Sequence, residues 1–85
     1  MISVSYTPSF VKQAKSLEAP IFEETISKIE KFKDQKNHKS LKVHKLHGRL
    51  KDFHSFYINR NIRIIFEYTT KNDALLHDIG RHSIY

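Results

Sequence analysis

Three apolar tracts follow one another in the second half of the chain, FHSFYIN (53–59), IRIIFEYT (62–69) and ALLHDIG (74–80), joined only by Asn59-Arg60-Asn61 and Thr70-Lys71-Asn72-Asp73. Each has the length and composition of a β-strand. Links this short and this rich in Asn and Asp suit antiparallel pairing, because a parallel return needs a crossover of about a dozen residues or more. The tracts therefore predict a meander. In its middle strand Ile62, Ile64, Phe66 and Tyr68 share one face, and Arg63, Ile65 and Glu67 share the other. The first face is expected to be covered, which leaves Arg63 mid-sheet on the open one. A guanidinium there is either a salt-bridge partner, with Glu67 two residues along, or an anion ligand in a concavity.

The cover comes from the first 35 residues. ISVSY (2–6) alternates like a short strand, and Thr7-Pro8 reads as a helix N-cap followed by proline at the first helical position, where its missing N–H costs nothing. Phe10, Val11, Ala14 and Leu17 form one helical stripe. Glu18-Ala19-Pro20 interrupts it, and Ile21, Phe22, Thr25, Ile26, Ile29 and Phe32 form a second, with Glu23 and Glu24 near its start. The segment KDQKNHKSLK (33–42), apolar only at Leu41, reads as a surface connection. The expected fold is α+β, in the order β-α-α-β-β-β, with an antiparallel sheet covered on one face by a helical hairpin. At 85 residues it is expected to be one domain, 1–85.

Charge divides the chain unevenly. Residues 1–35 hold five Lys against five acids, whereas residues 36–85 hold ten Lys and Arg against four acids and all six histidines, which accounts for the net charge of +6. A basic, histidine-rich half points to a polyanion, most economically nucleic acid, although a basic surface also serves solubility. Cysteine is absent, so neither a disulfide nor a thiolate zinc site is available. With no signal-peptide pattern and no apolar run of about 18 residues, the expected setting is the cytoplasm, with no membrane partner.

Histidine can take or give a proton near neutral pH. Metal-free RNA cleavage needs a base for the 2′-hydroxyl, an acid for the departing 5′-oxygen and a cation for the extra charge on the transition state. His44 or His47, Arg63 and His82 supply all three types if the fold brings them together. His38, His54 and His77 read as structural or merely exposed. His44-x-x-His47 is a weak metal motif outside a helix and lacks a third ligand, so neither metal nor cofactor is expected.

The segment LKVHKLHGRLKDFHSFYINRNIRIIFEY and the sequence LLHDIGRHSIY, together with the element order, resemble the RelE/ParE superfamily of bacterial toxins. Within it they are similar to the YafQ- and YoeB-like ribosome-dependent mRNA interferases. The most specific features are HxLxG from His44 to Gly48, the strand RIIFEY from Arg63, and Gly80-x-His82 followed by Tyr85. The resemblance implies a toxin that cuts mRNA in the ribosomal A site and is held inactive by an antitoxin. It implies His82 as general acid, Arg63 as the contact to the scissile phosphate, His44 as a histidine of the YafQ branch, and Tyr85 as the aromatic that helps position a base. Where YafQ-like proteins carry a further histidine and aspartate, this chain has Tyr57 and Asn61. YoeB-like members use a glutamate near the His44 region, so the general base stays open. Lys42, Lys45, Arg49, Lys51, Arg60 and Arg81 would then grip RNA phosphates. The alternatives are a ParE-like inhibitor of DNA gyrase and a non-catalytic RNA-binding module.

Overall fold

The computed structural model describes residues 1–81. Its elements are β1 (Ser3–Tyr6), α1 (Pro8–Lys15), α2 (Ala19–Phe32), β2 (His44–Lys45), β3 (His54–Tyr57), β4 (Ile62–Thr70) and β5 (Asp73–Arg81), with short 3₁₀ turns at Gln35–Asn37 and Gly48–Leu50. The strands form one sheet in the order β1-β5-β4-β3-β2. β3, β4 and β5 are the expected meander. The sheet as a whole is mixed rather than antiparallel, because β1 pairs parallel with β5 from Ser3↔Asp73 to Tyr6↔Leu76. That pairing is non-local: the helices and the meander lie between the two strands in sequence, so no turn chemistry announces it. The expected surface connection also does more than connect, since its Leu41 is buried. Beyond it Leu46 is buried as well, and His44–Lys45 adds a fifth strand against β3.

The first helix is built as its sequence suggests. Thr7 has extended backbone and its hydroxyl accepts a hydrogen bond from the Phe10 N–H at 3.0 Å, with Pro8 in the first turn. The same hydroxyl donates to the His77 carbonyl at 3.2 Å, which fixes the start of α1 on β5. Here β5 is irregular. Its pairing with β4 steps from Ile65↔Asp78 to Phe66↔Leu76, which leaves His77 as an extra residue. Gln13 of α1 serves this bulge with both ends of its amide: Oε1 accepts from the Ile79 N–H at 3.0 Å, and Nε2 donates to Asp78 Oδ1 at 3.3 Å. The bulge also resets strand parity, so that Ala74, Leu76 and Ile79 all reach the core.

The core lies between the helices and one sheet face. Phe32, at the end of α2, is fully buried; its ring stacks on Phe56 at 4.4 Å and on His38 at 4.8 Å and meets Phe66 edge-on at 4.8 Å. His38 completes this junction, its Nε2–H donating to the Phe32 carbonyl at 2.7 Å and thereby satisfying a helix-end acceptor. Ile64 and Phe66 of β4 point into the same core, as the alternation requires. Glu23 and Glu24 fall in the second turn of α2, not the first. Glu24 accepts from Asn59 Nδ2 at 3.1 Å, tying the helix to the β3–β4 turn.

Because Phe32 joins helix, sheet and connection, Phe32→Ala is expected to cost about 3–5 kcal/mol. That is a large share of the roughly 5–15 kcal/mol holding a domain together. Urea denaturation followed by circular dichroism checks this, and a loss under about 1 kcal/mol would place the organising contact elsewhere.

Candidate active site

The site is built on the sheet face away from the helices. Alternation along β4 sends Arg63 and Ile65 there, and the registers Tyr57↔Arg63, Ser55↔Ile65 and His44↔Ser55 set Tyr57, Ser55 and His44 beside them. This face is not open at its centre. Arg63 is only 6% exposed, because Tyr57 and the segment around Leu46 close over it. Tyr57 organises the group. Arg63 Nη1 donates to its hydroxyl at 3.5 Å, with the guanidinium carbon 5.7 Å from the ring centre. Lys42 Nζ lies 5.9 Å from the same ring, and the His44 ring is tilted toward it at 6.5 Å. An aromatic face in contact with two cations lowers their cost in a partly dry setting.

His44 is exposed but held. Its Nδ1–H donates to the Lys42 carbonyl at 2.7 Å, and its Nε2 lies 3.5 Å from the hydroxyl of fully buried Ser55. Two clefts flank the group. One is lined by Leu46, His47, Arg49, Leu50 and Arg63, and the 3₁₀ turn that forms its wall opens on Gly48, whose φ of +69° suits glycine. The other is lined in part by Lys28, Lys42, Tyr57, Asn59 and Arg60. Four of the residues expected on RNA therefore meet here: Arg49 with Arg63 in the first cleft, Lys42 with Arg60 in the second.

Others do not join them. Lys45 alternates away from His44, opposite His54. Arg81 pairs with Ile62 and lines a cleft with Leu17, Glu18 and Ile21 on the helix side. Lys51 is exposed after the turn at Gly48–Leu50. His82 and Tyr85 lie outside the described residues. Glu67 is engaged by His77 Nε2 at 3.0 Å, a ring that Phe53 meets edge-on. Among the described residues no cluster of three or more His, Asp or Glu could hold a metal ion, and no helix is long and apolar enough to cross a membrane. Sequence reasoning gave Tyr57 only as a departure from a family pattern and passed over Ser55. The parity of residues 53–57 against Arg63 was the signal that could have found both.

His54 occupies the other face of β3, against Phe66 and Tyr68. Burial pushes its pKa below the ordinary histidine value, and the charges of Lys45 and His44 push the same way. Its Nδ1 is buried with no hydrogen-bond partner among the described residues. The folded state thus prefers the neutral ring. This contribution to stability is complete above the unfolded value of about 6.5 and is lost as pH falls below it toward the depressed folded value. The urea midpoint of the wild-type protein should therefore drop from pH 7.5 to 5.5 by more than that of His54→Phe. Equal drops would show that His54 does not carry the effect.

No family model matches the sequence, and no curated protein matches it. Solved structures do. The chain is similar to the archaeal RelE–RelB complex from Pyrococcus horikoshii OT3, with a TM-score of 0.74 and 15% identity over 99% of this chain and 98% of that one. It is similar to the YoeB–YefM complex from Staphylococcus aureus, at 0.73 and 14% over 96% and 98%. It is also similar to the toxin–antitoxin complex RelBE2 from Mycobacterium tuberculosis, at 0.70 and 12% over 95% and 98%. Two helices packed on a five-stranded mixed sheet are the fold of the RelE/ParE superfamily toxins, and this chain has that fold.

Proposed function

We propose that this RelE/ParE-fold chain is the toxin of a type II toxin–antitoxin pair, a ribosome-dependent, metal-independent endoribonuclease that cuts mRNA by acid–base catalysis. The observation that carries the reading is the pairing of Arg63 and His44 about Tyr57, a buried cation and a titratable ring set between two basic clefts. In this mechanism His44 Nε2 takes the proton of a 2′-hydroxyl, and the 2′-oxygen attacks the adjacent phosphorus. The P–O5′ bond then breaks, leaving a 2′,3′-cyclic phosphate and a 5′-hydroxyl whose proton comes from His82. Arg63 stabilises the extra negative charge on the pentacoordinate transition state. His82 as acid and Tyr85 as the aromatic against a base rest on the sequence resemblance.

Lys42, Arg49 and Arg60 would hold the flanking phosphates, contacts that position a strand without reading its sequence. Sites this small and open do not order a single strand by themselves, which supports dependence on the ribosome to present it. One of the similar structures is named as a toxin–antitoxin complex, and this supports a cognate antitoxin as partner here. A basic toxin of net charge +6 suits an acidic antitoxin segment that folds as it binds.

Expression from a tightly controlled promoter should arrest growth. Primer extension should find breaks within a reporter transcript but not in the same transcript lacking its start codon, and cleavage on isolated ribosomes should survive EDTA. Intact transcripts with lost DNA supercoiling would instead establish the gyrase-inhibitor reading. Intact transcripts with RNA retained on the protein would establish the non-catalytic one.

A further inference from the structure

Lys42 is the one non-glycine residue among those described with a positive φ, +55°. Residues with a Cβ adopt that left-handed conformation at a cost, because the Cβ crowds the carbonyl oxygen, and they keep it only where their surroundings leave no alternative. Here the surroundings do that. On one side the Leu41 carbonyl accepts from the Tyr57 N–H at 3.0 Å, and on the other the Val43 N–H donates to the His38 carbonyl at 3.0 Å. The Lys42 N–H donates to the Lys39 carbonyl at 3.1 Å. With its neighbours pinned to β3 and to the preceding turn, the chain enters β2 through a left-handed step. The Lys42 carbonyl then meets the His44 ring.

A carbonyl oxygen can only accept. The 2.7 Å contact to His44 Nδ1 therefore requires the proton on Nδ1, which in the neutral ring leaves the lone pair on Nε2. Nε2 is turned toward Ser55, whose fully buried hydroxyl at 3.5 Å is near enough to orient the ring but too long to hold its lone pair tightly. We infer that Lys42 is a positioning residue for His44, acting through its backbone: the left-handed conformation aims its carbonyl at Nδ1 and fixes the tautomer in which Nε2 is the proton acceptor. This rests on the reading of His44 as the general base. The Lys42 ammonium, near the Tyr57 ring and in the second basic cleft, is a separate contribution.

The two contributions separate by substitution. Lys42→Gly removes the ammonium and keeps the left-handed backbone at lower cost; Lys42→Val removes the same ammonium but resists that backbone, since β-branched residues adopt it least. Imidazole nitrogen shifts of the free protein, at a pH where the ring is neutral, give the tautomer directly. His44 should be protonated on Nδ1 in the wild-type and Lys42→Gly proteins, and should move to Nε2 or to a mixture in Lys42→Val. In single-turnover cleavage on ribosomes both variants lose the ammonium and should bind substrate more weakly, so the effect on the base is read from the bound-state rate of Lys42→Val against that of Lys42→Gly. Lys42→Val should be the slower by about tenfold or more, part of the roughly 10²–10⁴ a positioned base contributes. A wild-type ring protonated on Nε2 would overturn the inference, as would a Lys42→Val protein that keeps the wild-type tautomer or a Lys42→Gly protein that loses it. If Lys42→Val fails to fold, the wild-type and Lys42→Gly rings still decide. The nitrogen shifts involve no RNA, so the expected tautomers together with no cleavage would count against the ribonuclease reading and not against the positioning.

Discussion

A guanidinium 6% exposed in the middle of a five-stranded sheet is the constraint on which the rest of this structure turns. Removing a charge from water costs several kcal/mol unless the protein supplies compensating dipoles and π-faces. β4 has no latitude in where it puts Arg63, because Ile64 and Phe66, which follow it with side chains on the opposite face, are committed to the core and a one-residue slip would exchange the two faces. The compensation must come to Arg63. Tyr57 arrives from the neighbouring strand at the register position directly opposite, bringing a hydroxyl and a ring face. Once Tyr57 is there, Lys42 and His44 pack about the same ring, and the candidate site is assembled.

The two sheet faces thus do different physical work with the same strands. Toward the helices, Phe32, Phe56 and Phe66 stack into a core anchored by α2, and the Thr7 and Gln13 side chains fasten α1 to the β5 bulge. Toward the other side, the strands carry polar and charged groups on a floor that the core holds rigid. A site of this kind needs its groups held to within about 0.5 Å, and strands of a packed sheet provide that better than loops do. His44 stands at the margin of this rigidity, on a two-residue strand, which is why a carbonyl two residues earlier matters to its orientation.

The meander, the helical hairpin, the Thr7 cap and the faces of β4 were legible because each follows from local periodicity or turn chemistry. The parallel pairing of β1 with β5 was not, since it joins residues about 70 positions apart with no local signal. The bulge at His77 left a trace in the odd spacing of Ala74, Leu76 and Ile79, but strict alternation hides it. Of the candidate site, the sequence offered Arg63 and His44 as candidates but not what surrounds them. Nothing in the letters shows that Tyr57 closes over Arg63, that Lys42 turns left-handed, or that Lys45 and Arg81 face away from His44.

If Arg63 is buried for the sake of chemistry, its charge should be dispensable to the fold and indispensable to the reaction. Arg63→Met keeps most of the side-chain volume and removes the charge, and with it the cost of several kcal/mol of holding an ion away from water. The measurement is urea unfolding and single-turnover cleavage of ribosome-bound mRNA on one preparation of that protein. The account requires wild-type stability or better with cleavage reduced by about 10² or more, the scale of losing one electrostatic contact to the transition state. An Arg63→Met protein destabilised by several kcal/mol, or one that folds and cuts at the wild-type rate, would contradict it.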